Sequence, residues 1–211
     1  GSSLQDDYAN TVLTEGRLTL QAPERGVVSY LGDSDWFQAG LSAGVTYIIR
    51  LEGDISEFAQ LDPLTDPLLI IRDAQGRVVG RADDFDGSLD SVAFFTPTTN
   101  GTYYFEARSA FKYDIGSYQI TLEVAPPDDH GSELDATATA LTIGSNFTAT
   151  QTGDIGLPND KDVFSISLEA GKVYLLSAEG LAGNGGTLVD PLVRVFTSTG
   201  QLVDFNDNGG V

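Results

Sequence analysis

The chain has 211 residues, with 31 acidic against 11 basic side chains, a formal net charge of −20, one His, one Trp and neither Cys nor Met. Lacking Cys, it has no disulfide scaffold, thiol nucleophile or thiolate metal site, and His130 alone is too little imidazole for a zinc centre or a Ser/His/Asp triad. Three Lys and so negative a balance exclude the basic surface that nucleic acid or anionic lipid requires, and no apolar run is long enough to insert into a membrane.

Gly1-Ser2-Ser3 reads as an expression remnant. Beyond it, strand signals dominate. Tyr47 to Leu51 (YIIRL) and Leu68 to Arg72 (LLIIR) are short apolar runs rich in branched or aromatic residues, and they predict sandwich strands. Asp73 to Gly76 reads as a hairpin turn. Asn100-Gly101 accepts the positive φ of a tight turn and leads into a strand over Thr102 to Ala107. Ser117 to Val124 (SYQITLEV) alternates without a break, placing Tyr118, Ile120, Leu122 and Val124 on one face. Val173 to Ser177 (VYLLS) predicts a further strand, and Thr197 to Gly200 a further turn. Only Glu133 to Leu141 approaches a helical period, and too briefly, so the expected class is all-β.

An internal repeat organises the chain. Asp33-Ser-Asp35-Trp-Phe37, Leu41-Ser-Ala-Gly44 and Tyr47 recur 127 residues later as Asp160-Lys-Asp162-Val-Phe164, Leu168-Glu-Ala-Gly171 and Tyr174. Asp66-Pro67, Gly76 and Asp83-Asp84 recur 124 residues later as Asp190-Pro191, Gly200 and Asp207-Asn208. The leader Asp6-Asp7 is matched by Asp128-Asp129. Ala125-Pro126-Pro127 is a stiff spacer where a strand must end, so two tandem domains are expected, 1–125 and 126–211. Val211 aligns with Gly87, and Ser88 to Val124, 37 residues, has no counterpart in the second copy. The second domain is therefore expected to be incomplete, truncated or split, its missing strands supplied by another chain or by later sequence.

The ordered set of an acidic leader (DDYANT), Asp-x-Asp-aromatic-Phe, Leu-x-Ala-Gly-x-x-Tyr, Asp-Pro, a turn glycine, an Asp/Asn-rich loop, Asn-Gly-Thr-Tyr-Tyr and Gly-Ser-Tyr-x-Ile-x-Leu resembles the bacterial pre-peptidase C-terminal domain family. The resemblance runs from about Asp6 to Val124 and again from Asp128 to the end of the chain. It implies two jelly-roll-type β-sandwiches that are not catalytic, often bind calcium, and serve attachment, secretion or spacing. Two features depart from the pattern: the second copy lacks its last strands, and Asp54 to Leu64 has no match in it.

Of the 31 acids 22 are Asp, which favours loops and oxygen-ligand cation sites over helix faces. Calcium takes six to eight oxygens, and short loop carboxylates supply them readily. The candidates in the first copy are Asp6, Asp7 and Asn10 in the leader with Asp33 and Asp35 in the loop, which converge if the leader lies along that loop as in calcium-binding members of the family. Their equivalents are Asp128, Asp129, Asp160 and Asp162. A second oxygen-rich cluster comprises Asp83, Asp84 and Asp86, with Asp207 and Asn208 in the second copy; turn chemistry explains it almost as well. Gly183 to Gly186 carries one fragment of a calcium-binding repeat, and a single fragment reads as a loop.

Trp36, Phe37, Tyr47 and Phe164 are expected in the core. Tyr104, on the opposite face from Tyr103 and Phe105, is expected to meet solvent. Phe58, Phe111 and Tyr113 lie in loop-like segments and are candidates for an apolar platform that binds a sugar or peptide, with local packing as the alternative. His130 reads as a solvated linker residue. The expected protein is a non-enzyme: a calcium-stabilised module pair from a secreted or surface-attached bacterial protein, an adhesin-like spacer, its joint stiffened at Pro126-Pro127. The alternatives are a module recognising a polysaccharide or protein ligand, and an accessory domain of a secreted peptidase.

Overall fold

The computed structural model describes residues 5–111, 113–135, 137–183 and 186–207. The chain divides into two compact units, Gly1–Ala125 and Pro126–Val211. Among the described residues the first holds nine strands: β1 (Glu24–Val28), β2 (Ser34–Leu41), β3 (Tyr47–Gly53), β4 (Pro67–Arg72), β5 (Val78–Ala82), β6 (Asp84–Phe85), β7 (Ser88–Phe95), β8 (Gly101–Ser109) and β9 (Gly116–Val124). They pair antiparallel in two sheets, ordered β1-β9-β3-β7-β6 and β2-β8-β4-β5. Phe37, Ala39 and Leu41 of β2, Leu69 and Ile71 of β4 and Phe105 and Ala107 of β8 form one core with Ile49 and Leu51 of β3 and Tyr118, Ile120 and Leu122 of β9. Each large apolar side chain so buried contributes about 1.5–3 kcal/mol. The result is a β-sandwich. Val124, expected on the inner face, is half exposed at the end of β9.

The outer face of the second sheet is also covered. Because side chains alternate, Trp36 points away from Phe37; it is buried as expected, on this outer face rather than between the sheets. The Arg72 guanidinium lies 4.6 Å from its ring, and the Tyr104 ring 5.9 Å away. Arg72 Nε donates to Glu106 Oε2 at 2.8 Å, and Arg108 Nη1 stands 3.6 Å from Oε1. Tyr104 does not meet solvent either: it is 8% exposed, and its hydroxyl donates to the Val12 carbonyl at 3.1 Å. The leader supplies that cover. It runs on to pair Arg17 with Gln38 and Leu20 with Leu122.

The unmatched stretch from Asp54 to Leu64 is folded against the start of β9. Ser117 organises it: its hydroxyl accepts from Gln60 N (3.0 Å) and Leu61 N (2.8 Å), its carbonyl accepts from Asp54 N and Leu64 N, and its own N–H donates to Asp62 O. Leu64 enters the core. Gly116 is required here, since a Cβ would stand 2.6 Å from Leu64 N and 2.8 Å from Asp62 O.

Among the described residues the second unit holds two small sheets. β10 (Thr139–Leu141) pairs parallel with β11 (Phe164–Ile166), and β12 (Val193–Phe196) pairs antiparallel with β13 (Leu202–Asn206). Gly200 closes the β12–β13 turn at φ 81°, its N–H donating to Thr197 O at 3.0 Å. Val173 to Ser177 does not form the expected strand, and Val173 is fully exposed. The reason is partnership. The like-patterned β3 is hydrogen-bonded on both sides, to β7 and β9. Among the described residues no strand flanks Val173 to Ser177, so its backbone groups have no ladder to join.

Candidate metal centres

The Asp-x-Asp loop sits at the top of β2. Asp35 shares the inward register of Phe37, Ala39 and Leu41, so alternation drives a carboxylate towards the core. It is fully buried; its Oδ2 accepts from the Tyr118 hydroxyl at 2.6 Å, and its Oδ1 has no donor. Asp33, 2% exposed, accepts through Oδ2 from Ser29 N (2.7 Å) and Ser29 Oγ (3.0 Å), and its Oδ1 is likewise buried without a donor. Asp6, Asp33 and Asp35 each place a carboxylate oxygen within 4.8 Å of the others. A calcium shell at 2.3–2.6 Å has oxygens at most about 5 Å apart, so the group has the right span.

Electrostatics agree with geometry. Desolvation, then the charges of Asp7, Asp33 and Asp6, push the Asp35 carboxyl up to about 8 against the lowering effect of Tyr118. Desolvation and then Asp33 raise Asp6. Burial above all, with Asp35 next, raises the Tyr118 hydroxyl well above its ordinary value. Asp7 is pushed up to about 6, chiefly by desolvation; its Oδ2 accepts from Val27 N at 3.1 Å and so pins the leader to β1. Asn10 is exposed in the bend after Tyr8, and no hydrogen bond ties it to Asp33 or Asp35.

Several of these contacts recur in the second unit, those of Asp33 and Tyr47 at the same spacing and that of Asp7 at a longer one. Asp160 Oδ2 accepts from Gly156 N (2.9 Å), as Asp33 does from Ser29 N. Asp129 accepts from Asp154 N (3.2 Å), as Asp7 does from Val27 N. Glu169 N donates to the Tyr174 hydroxyl and Ser42 N to that of Tyr47, both at 3.0 Å. Asp128, Asp160 and Asp162 bring carboxylate oxygens within 4.8 Å of one another, beside a cleft of about 150 Å³ lined by Pro126, Pro127, Asp128, Asp129, Asp154 and Asp160 among others. Asp162 Oδ1 is buried without a donor, and desolvation followed by the Asp129 charge raises its carboxyl.

His130 is not a solvated linker residue. Its ring meets Phe164 edge-on with the ring centres 4.7 Å apart, and Tyr8 lies tilted against Phe37 at 4.6 Å. Its Nε2 lies 2.7 Å from Thr152 O, which can only accept, so that nitrogen carries the proton. Nδ1 lies 2.8 Å from Thr139 Oγ1, a hydroxyl that can donate or accept.

The second acidic loop assembles differently from the sequence reading. Asp83 and Asp84 converge with Asp66, which the sequence reading took only as part of an Asp-Pro pair. Asp86 stands outside that group: Asp86 and Gly87 take φ of 51° and 79° in the turn between β6 and β7, the conformation of a tight hairpin. Asp207 follows β13 and is exposed, and Asn208 lies outside the described residues, as do two of the four positions from Gly183 to Gly186. Phe58, Phe111 and Tyr113 are all exposed, and among the described residues no ring contact joins them. Phe58 lies instead under the Arg25 guanidinium, 5.6 Å from its ring centre.

No family model and no curated protein matches the chain. Among solved structures it is similar to the pre-peptidase C-terminal domain of a collagenase from Bacillus anthracis, at 16% identity and TM-score 0.38 over 51% of this chain and 93% of that one. It is also similar to PliG of Aeromonas hydrophila, a periplasmic inhibitor of g-type lysozyme, at 13% identity and TM-score 0.33 over 51% of this chain and 96% of that one.

Proposed function

We propose that this chain is a pair of tandem, non-catalytic, calcium-stabilised β-sandwich modules from a secreted or surface-attached bacterial protein, acting as a spacer. The observation that carries the reading is the pair of buried, donorless oxygens on Asp33 and Asp35, whose carboxylates group with that of Asp6 in the leader. Three carboxylates at this spacing repel one another, and a buried ionised oxygen without a partner is costly. A divalent cation removes both penalties and fastens the leader to the sandwich. Asp128, Asp160 and Asp162 would hold a second ion in the same manner, and the hydrogen bonds shared by the two units favour two copies of one module. The engagement of both nitrogens of the only imidazole supports a non-catalytic role.

Melting of the full chain in chelator and in millimolar calcium tests this. A cation that binds only the folded state stabilises it by RT ln(1 + [L]/Kd), about 2.7 kcal/mol at a hundredfold excess over Kd. Melting should rise with calcium in the wild type, and rise less in Asp33→Asn. Identical curves with chelator and with calcium would overturn the reading.

A further inference from the structure

Asp66 precedes β4, and Asp83 and Asp84 follow β5. The antiparallel β4–β5 pairing, with Leu69 opposite Ala82, brings these two ends together. Ser91 of β7 fixes them from inside: its buried Oγ lies 2.7 Å from Pro67 O and 3.0 Å from Ala82 O, the carbonyls next to Asp66 and Asp83. On this frame the three carboxylates come within 4.8 Å of one another. Asp66 is 6% exposed, and its Oδ1 is buried with no hydrogen-bond donor. Burial, then the charges of Asp83, Asp84 and Asp114, raise its carboxyl. Arg81 pairs with Oδ2 of Asp83 at 2.9 Å, one positive charge against three negative ones.

We infer that Asp66, Asp83 and Asp84 form a second calcium site of the first unit, separate from the leader. The three carboxylates keep two negative charges after Arg81, which one divalent cation balances. The span suits a calcium shell, which exposed Asp84 leaves open for water to complete. Asp86, committed to the turn, takes no part. The site locks the start of β4 to the end of β5 without involving residues 5–35.

Equilibrium dialysis of the full chain, stripped with chelator and then loaded with calcium, reads the bound metal directly. Asp66→Asn should bind one ion fewer than the wild type, Asp35→Asn should lose a different one, and the double variant should lose both. Asp66→Asn should also melt higher than the wild type in chelator, because a neutral amide replaces the buried charge. Should Asp66→Asn fail to fold, Asp84→Asn, exposed and in the same group, should weaken one class of site about tenfold or more. Unchanged stoichiometry and affinity in both variants would overturn the site, as would a cation-free Asp66→Asn that melts below the wild type. Selective retention of magnesium would overturn the calcium assignment. Loss of the Asp35-dependent ion alone bears on the leader site and leaves this one standing.

Discussion

Replacing Asp35 with Asn should stabilise the cation-free protein and weaken the calcium-loaded one. The folded carboxyl titrates at about 8 against an ordinary 3.8. Below pH 4 both states are protonated and the group is neutral in its effect. Between about 4 and 8 the unfolded chain ionises while the folded one keeps its proton, so stability falls as pH rises, by about 1.4 kcal/mol per unit. Taken to pH 7, that is a cost of order 4 kcal/mol. Asn keeps an oxygen for the Tyr118 hydroxyl and has no charge to desolvate. The assay is urea unfolding followed by fluorescence, with and without chelator, at several pH values. Trp36 is the only Trp, so the signal reports on the first unit. The expected result is a steep fall in wild-type stability from pH 4 to 8 in chelator, largely absent in the variant, with calcium reversing the order of the two proteins. A flat cation-free wild type, or a variant weaker than it at pH 7 in chelator, would refute the reasoning.

Arg72→Met should cost about 3 kcal/mol in urea unfolding, because Glu106, buried, keeps only Arg108 at 3.6 Å; a change under 0.5 kcal/mol would show that Arg108 alone suffices. Gly116→Ala forces a Cβ against the backbone of Leu64 and should cost about 1–3 kcal/mol. Limited proteolysis should then cut first between residues 54 and 64. Phe111→Ala and Tyr113→Ala, at positions 57% and 78% exposed, should each leave stability within about 0.5 kcal/mol. His130→Ala loses two hydrogen bonds and a ring contact, and hydrogen exchange should quicken at Thr139 and its β11 partner Phe164; unaltered protection there would refute its structural role.

Local pattern made β3, β4, β8 and β9 legible, because each carries enough apolar residues, in an unbroken run or in alternation, to identify itself. β7 was not legible. Its sequence SLDSVAFF interrupts the apolar row with Ser91, whose place inside depends on two carbonyls from other strands. Val173 to Ser177 shows the opposite case, a run with strand composition and no neighbours to pair with. Among the acids, Asp33 and Asp35 stand two apart and announce themselves. Asp66 is 17 residues from Asp83 in sequence, and only the β4–β5 register unites them. Asp86 looked like a ligand for the reason it is a good turn residue. His130 was misread because its flanking acids suggest solvent, whereas Phe164, which buries it, lies 34 positions on.

β2 is the outermost strand of its sheet, and such a strand offers its free N–H and C=O groups to any passing chain. Here the leader already occupies them: Leu18 N donates to Gln38 O, and Gln38 N donates to Gly16 O. Gly16 permits the approach, since a Cβ there would stand 2.5 Å from the Trp36 carbonyl. Whatever holds the leader down therefore also guards against edge-to-edge self-association. A protein freed of its leader should clump before it unfolds.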